Sequence, residues 1–364
     1  MTDINRPILV QGMGIIMPNI SSCKDIANLY SSDTLTHSPK VKNIPGLPGI
    51  SKRETRRMSR LTNLALNAAE EAFSNVYNNP QNGALFIGLT HGSTSLLCEF
   101  HDYLFDFGPE MASPNAFSNG VTNAPLGVLS KYLNLTQGGS TFVGYENCGM
   151  EVLSSAAFSL QNNIYSFCLA GAAEEYSPII ENVYSQCSCI KNTNIGNPIH
   201  PGLRNLLIEE KKCLTEGSIF FSLSSENSEY NAENKRICYF KPVENINDIN
   251  IDIDLIISGM YGTPQDAVEF DMISALLYCQ KRKPALIFSK LLFGESFAVG
   301  ALLSSALAWD ILVNSTPHTY YKLENNQNIV KLKNIDLMNI KIILVISVDR
   351  NNKVSAGIFS KYLI

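Results

Sequence analysis

The chain has no excess of basic charge, no long apolar run and no metal-spaced cluster. Its 28 Lys and Arg are outnumbered by 33 Asp and Glu, giving a formal net charge of −5. A protein that grips nucleic acid through its overall charge is therefore excluded. No apolar run approaches the ~20 residues that cross a bilayer, so no membrane span is expected. Met1 to Asn19 lacks a basic stretch followed by an apolar core and cleavage site; no secretory signal is expected, and a cytoplasmic location is. The five histidines, His37, His91, His101, His200 and His318, form no HxxxH or HxH pattern. Cys187 and Cys189 make a CxC pair without a second pair at zinc-ligand spacing, so no metal is expected. The nine cysteines are odd in number and lie mostly in apolar runs, which points to reduced core thiols rather than a disulfide framework.

What is present is a long chain with ample apolar material. Its 364 residues, 45% hydrophobic, suffice for one large domain or two fused halves. Short apolar strands are expected at Pro7–Gly14, Ala84–Gly88, Ser140–Tyr145, Tyr165–Ala170, Ser218–Ser225, Ile237–Pro242, Leu255–Ser258 and Ala285–Phe288. Helical spacing is expected at Ser22–Tyr30, from the basic run at Ser51 through Phe73, and at Thr94–Phe107, Pro114–Tyr132, Cys148–Leu160, Pro178–Ser185, Pro264–Gln280 and Phe297–Val313. Lys341–Val348 and Val354–Tyr362 read as a terminal hairpin. Strands alternate with helices throughout, which is an α/β pattern with helices covering a mostly buried sheet. The polar, turn-rich SENSEYNAENK marks a boundary. An N-terminal half over 1–224 and a C-terminal half over 235–364 are thus expected, joined by a loop at 225–234.

The most informative stretch is Gly138 to Glu175. A β-rich run drops through a tight turn into a helix, and Glu146 occupies that turn. Many enzymes place a nucleophile at such a point, because free N–H groups and the helix dipole stabilise a thiolate or oxyanion. Taken alone, Glu146 reads more simply as an acidic helix cap, stabilising by roughly 0.3–1 kcal/mol.

An ordered series of segments resembles the β-ketoacyl–acyl carrier protein synthases of the thiolase superfamily. It runs VQGMGIIMP (Val10–Pro18), RRMSRLTNLALNAAEEAF (Arg56–Phe73), IGLTHGST (Ile87–Thr94), GPEMASPNAFSNGVTNAPLGVLSKYLNLTQGGST (Gly108–Thr141), CLAGAAEE (Cys168–Glu175) and TEGSIFFSL (Thr215–Leu223). The resemblance implies a thiolase-like five-layered αβαβα fold of two related halves. It also implies a dimer formed through the strand before the nucleophile, here Gly139–Tyr145.

The family's chemistry uses a cysteine and two histidines. In this sequence the cysteine slot of the nucleophile turn falls on Glu146. The histidine of the HGTxTxxxD motif falls on Tyr261 in YGTPQDAVE, and that of the GH pair on Glu295 in SKLLFGESF, which keeps Lys290 and Gly294. The family's C-terminal glycine turn is replaced by DRNNKVS. A carboxylate is a poor acyl acceptor from a thioester, and neither Tyr261 nor Glu295 replaces an imidazole near neutral pH. Cys148 lies two residues past the slot, rotated by roughly 200° around the helix, with no histidine to assist it. Glu146 and Glu295, if adjacent, are expected to share a proton or to pair with Lys290.

Losing all three groups while keeping the scaffold resembles the chain length factors of type II polyketide systems, possibly of the aryl polyene kind. Those subunits pair with an active ketosynthase and bound a tunnel at the heterodimer interface. The implied partners are that ketosynthase and an acyl carrier protein; no cofactor is bound, and phosphopantetheine-linked acyl chains are the substrate of the complex. Lys52, Arg53, Arg56 and Arg57 match the family's carrier-protein patch, with a solvated charged loop as the plainer reading. His91, Met111, Ala116, Phe117, Phe142 and Tyr145 fall at the tunnel or interface, with ordinary packing as the plainer reading. Two other functions stay open: an active decarboxylase or hydrolase with Glu146 as base, and a homodimeric scaffold.

Overall fold

The computed structural model describes residues 6–26, 39–74, 83–186, 214–225, 237–261, 266–317, 320–324, 328–332 and 339–364. In the first half, strands β1 (Ile8–Ile16), β2 (Gly83–Leu89), β3 (Gly139–Val143), β4 (Phe167–Glu174) and β5 (Gly217–Ser224) alternate with helices. These are α1 (Arg60–Ser74), α2 (Thr94–Phe107), α3 (Pro114–Gly120), α4 (Ala124–Leu133), α5 (Cys148–Gln161) and α6 (Pro178–Gln186). The second half contributes β6 (Cys238–Val243), β7 (Leu255–Ser258), α7 (Asp266–Cys279), β8 (Ala285–Phe288), α8 (Ser289–Phe293) and α9 (Ala298–Asn314). Four more strands follow: β9 (Tyr320–Glu324), β10 (Asn328–Leu332), β11 (Ile342–Val348) and β12 (Val354–Ser360).

The strand order exposes an internal repeat. The first half reads β3-β2-β4-β5-β1 and the second β8-β7-β11-β12-β6, with the β9–β10 hairpin added beyond β8. In each half the parallel strands are joined by helical crossovers and the last strand pairs antiparallel. The halves meet where Ile8–Val10 of β1 pairs antiparallel with Cys238–Phe240 of β6. Of the connection expected at 225–234, only Ser225 lies within the described residues.

Strand side chains alternate between faces with a period of two, and this alternation sorts the core into layers. In β4, Cys168, Ala170 and Ala172 enter a central cluster with α5 and α9, whereas Phe167, Leu169 and Ala173 enter an outer cluster with α1. In β11, Ile343 and Val345 face the central cluster, whereas Leu344 and Ile346 face a second outer cluster with α7. The succession is outer helices, sheet, α5 with α9, sheet, outer helix, which is the five-layered αβαβα arrangement. Helix α9 lies inside this stack and is buried from Ala298 to Leu312. Where α5 meets it, a Cβ on Gly149 would come within 2.3 Å of the Ala298 carbonyl oxygen, so a glycine is required for that approach.

Several expected elements are corrected. The helix expected from Ser51 to Phe73 is two. Ser51 and Glu54 form a capping box around a single turn, Lys52–Thr55, and Ser59 Oγ then accepts the Thr62 N–H at 3.1 Å to start α1 afresh. Pro114–Tyr132 is likewise broken into α3 and α4, because Pro125 supplies no N–H and sits in the first turn of a new helix. The strand expected to end at Ala170 continues to Glu174. The β9–β10 hairpin was not anticipated. Of the helix expected at Ser22–Tyr30, a short turn at Cys23–Asp25 is described and 27–30 lie outside the described residues.

Candidate functional site

The site forms where the C-terminal ends of the strands in both halves converge. β3 leads through Gly144–Asn147 into α5, whose N-cap is Asn147. Glu146 therefore sits just before the helix rather than capping it. Its carboxylate turns to Arg350, on the hairpin turn between β11 and β12. Arg350 Nε donates to Glu146 Oε1 at 3.0 Å, Nη2 donates to the same oxygen, and the Arg350 backbone N–H reaches Oε2 at 3.2 Å. The guanidinium Nη1 donates to the Tyr184 hydroxyl at 2.8 Å, and the guanidinium carbon lies 5.0 Å from the ring centres of both Tyr145 and Tyr184. Burial alone would push the Glu146 carboxyl up; its bonds to Arg350 and the charges of Lys290 and Arg350 outweigh this and hold it below the ordinary value.

The second changed position is also engaged. Lys290 Nζ bonds Glu295 Oε2 at 2.8 Å, and Glu295 Oε1 accepts the Phe297 N–H at 2.7 Å. Burial would lower Lys290, but Glu295, Glu146 and Glu269 together raise it, so the ammonium stays charged. The expected pairing is thus divided: Lys290 bonds Glu295, while Glu146 is bonded by Arg350. Tyr261 goes elsewhere. It is buried in the outer cluster beneath α7, and its N–H donates to Asp266 Oδ2 at 3.0 Å. Residues 262–265 of its motif lie outside the described residues.

Cys148 is buried in the first turn of α5, with its thiol 3.6 Å from the Phe142 carbonyl oxygen. Burial pushes the thiol up to about 12, so it is protonated at neutral pH.

His91, on the turn after β2, closes the same space from the first half. Its Nε2 lies 3.0 Å from the Tyr184 hydroxyl, and its ring packs edge-on to Phe297 at 4.4 Å between centres. Its Nδ1 is 3.4 Å from Glu174 Oε2 without the alignment of a hydrogen bond. Phe297 packs on Tyr184 at 4.7 Å and adopts φ 49° and ψ −119°. A β-carbon residue rarely holds that backbone, and the Glu295 carboxylate on its N–H helps to fix it. Sequence reasoning missed Arg350, Tyr184 and Phe297. The signal for Arg350 was present: a buried glutamate needs a cation, and an arginine stands in the segment DRNNKVS.

The remaining expected positions lie on the surface. Lys52, Arg53, Arg56 and Arg57 are all exposed, and Asn115 of α3 bonds the Arg57 carbonyl at 3.3 Å, placing the basic patch beside α3. Ala116 is buried, Phe142 half-buried, and Met111, Phe117 and Tyr145 are exposed. Among the described residues, β3 pairs only with β2 and ends the sheet; its Val143 is 65% exposed. Along α2, which buries none of its residues, Tyr103, Phe105 and Phe107 also face outward. α2 packs on α3, α3 on α4 and α4 on β3, so the elements that carry these apolar side chains are contiguous. Among the described residues, no group of three or more His, Cys, Asp or Glu is arranged to hold a metal, and no helix is long and apolar enough to cross a membrane.

Residues 40–200 match the family model described as the N-terminal domain of β-ketoacyl synthases. No curated protein sequence matches the chain. Among solved structures, the chain is similar to a chain of AntDE:AntF, described as a type II polyketide synthase acyl-carrier protein in complex with its ketosynthase bound to the hexaketide. The TM-score is 0.75 at 18% identity, over 98% of this chain and 100% of that one. It is also similar to a chain of the ishigamide ketosynthase/chain length factor, with a TM-score of 0.68 at 18% identity, over 97% and 99% of the two chains. The architecture is therefore the thiolase-like ketosynthase fold.

Proposed function

We propose that this chain of ketosynthase fold is a chain length factor: a subunit that pairs with an active ketosynthase in the cytoplasm and bounds its acyl tunnel without carrying an acyl group itself. One observation carries the reading. At the position where the fold sets its nucleophile, Glu146 is held by two guanidinium nitrogens and a backbone N–H of Arg350. A carboxylate so held, with its proton affinity lowered, is a weak nucleophile and a weak base. The arrangement thus disfavours both an acyl-enzyme and the alternative of Glu146 as the base of a decarboxylase or hydrolase.

The surface supports a partner of the same fold. An unpaired edge strand with apolar side chains is a template for another strand, and β3 with α2 and α3 offers one. The basic patch from Lys52 to Arg57 lies beside α3 and suits an acidic carrier protein bearing phosphopantetheine-linked chains. Similarity to the ishigamide ketosynthase/chain length factor is in keeping with this reading.

The decisive experiment is co-expression with a type II ketosynthase. Isolation of the complex and assay of elongation with and without this subunit should show that product needs both. Intact mass spectrometry should find acyl adducts on the ketosynthase alone. An adduct on Cys148 or Glu146, or turnover of malonyl-carrier protein by this chain alone, would establish the enzyme reading instead. A stable homodimer that never captures the ketosynthase would establish the scaffold. In the active complex, Phe117→Ala should shift products to longer chains, read by mass; an unchanged distribution removes Phe117 from the tunnel wall.

A further inference from the structure

Arg350 donates in two directions. Its Nε and Nη2 donate to Glu146, and its Nη1 donates to the Tyr184 hydroxyl at 2.8 Å. A guanidinium has no acceptor atom, so the hydroxyl oxygen accepts in the second contact and its own proton points elsewhere. His91 Nε2 lies 3.0 Å from that oxygen. Burial pushes the Tyr184 phenol up in spite of Arg350, so it keeps the proton it has to give.

The direction of this contact fixes the histidine. A hydrogen on Nε2 would set two N–H donors on one hydroxyl oxygen, whereas a lone pair there takes the phenol proton. The ring hydrogen then belongs on Nδ1, which faces Glu174 Oε2 at 3.4 Å. With the opposite tautomer, a nitrogen lone pair would face that carboxylate oxygen. Glu174 is itself held at the end of β4. It is 1% exposed, its Oε1 accepts the Thr90 N–H, and its Oε2 accepts the His91 backbone N–H at 3.4 Å. The imidazole is also packed in place, edge-on to Phe297 at 4.4 Å and to Tyr184 at 5.4 Å between ring centres. Thr90 Oγ1 accepts the Ala298 N–H at 3.1 Å, which joins the turn after β2 to the start of α9.

We propose that His91 is a positioning residue for the Glu146–Arg350 pair: as the Nδ1–H tautomer it takes the Tyr184 hydroxyl proton at Nε2, and this turns the hydroxyl oxygen to Arg350 Nη1. The series Glu174, His91, Tyr184, Arg350, Glu146 then runs from one carboxylate to another with every donor facing an acceptor. Hydrogen bonds in such a series polarise one another, so each member strengthens the next. The turn after β2, the end of β4 and α6 all belong to the first half. Through Tyr184 they hold an arginine of the second half on Glu146. His91 acts on the ion pair through Tyr184, and its removal is felt at Arg350.

The test uses the isolated chain, so its failure is separate from failure of the subunit reading. Long-range nitrogen–proton spectra of the wild type at neutral pH should show His91 with a pyridine-like Nε2 and a pyrrole-like Nδ1. The Arg350 Nε–H should exchange with solvent about tenfold faster in Tyr184→Phe and in His91→Phe, which keep a ring in place and lose the hydrogen bond. His91→Gln offers a carbonyl oxygen in place of Nε2 and should stay within about threefold of the wild type. Because the contacts act in series, the double variant His91→Phe with Tyr184→Phe should exchange no faster than Tyr184→Phe alone. A hydrogen on Nε2 in the wild type overturns the proposal. So does an Arg350 exchange rate unmoved by His91→Phe, an equal rate in His91→Gln and His91→Phe, or a faster rate in the double variant. Should the variants fail to fold, the wild-type ring spectrum decides alone.

Discussion

Replacing Arg350 by Ala should destabilise the chain by about 3 kcal/mol, because it leaves Glu146 buried without its counter-charge. The Glu146 side chain is 12% exposed and that of Arg350 30% exposed, which places the loss at the lower end of the range for broken buried pairs. The variant also removes the cation between Tyr145 and Tyr184 and the donor to the Tyr184 hydroxyl. Replacing both partners with apolar residues, Glu146→Leu with Arg350→Met, should recover most of the loss, since no buried charge then remains. Equilibrium urea unfolding of the wild type, both single variants and the double variant measures the coupling. The dependence on pH has a fixed sign. Glu146 is depressed in the folded state, so the pair's contribution is full above the ordinary value of 4.5 and is lost as pH falls through the lower folded value. The gap between wild type and Arg350→Ala should therefore narrow in acid. A variant within about 0.5 kcal/mol of wild type, the scatter of ordinary surface changes, would show that the pair contributes no more than a surface contact.

If the proposed pairing with a ketosynthase runs through β3, Val143→Asp should weaken that association by at least about 100-fold, equivalent to roughly 2.7 kcal/mol. Val143 is 65% exposed at the free edge of the sheet, so the isolated subunit should unfold at the same urea concentration as the wild type. In a strand-to-strand interface the new carboxylate would be buried without a partner, at a cost of several kcal/mol. Co-purification yield and sedimentation of mixtures measure the effect. Unaltered association places the interface elsewhere. If instead the chain pairs with itself, the same substitution should shift the isolated protein from dimer to monomer.

Much of the architecture was legible in the sequence. Thr94–Phe107, Leu255–Ser258 and Ala285–Phe288 fold with the bounds that their apolar patterns predict, because helix and strand periodicities are local properties. Losses occurred where a single polar contact decides. The break at Ser59 depends on which serine caps which helix. The β9–β10 hairpin draws its partner from β8 at the sheet edge. At the site, the pairings Glu146–Arg350 and Lys290–Glu295 join residues from separate elements and are not written in any one motif. Tyr261, placed by its motif alone, packs in the outer cluster beneath α7.

By itself, the sequence determined the alternation of strand and helix, the two-half rhythm, and which chemical groups stand at the turn between β3 and α5. Those are consequences of side-chain period and residue identity. Only the tertiary structure decided that Glu146 is a closed ion pair rather than a free carboxylate. Arg350 comes from a turn 204 residues away, and the energy of a buried charge depends on which counter-charge the fold brings within reach, not on its neighbours in the chain.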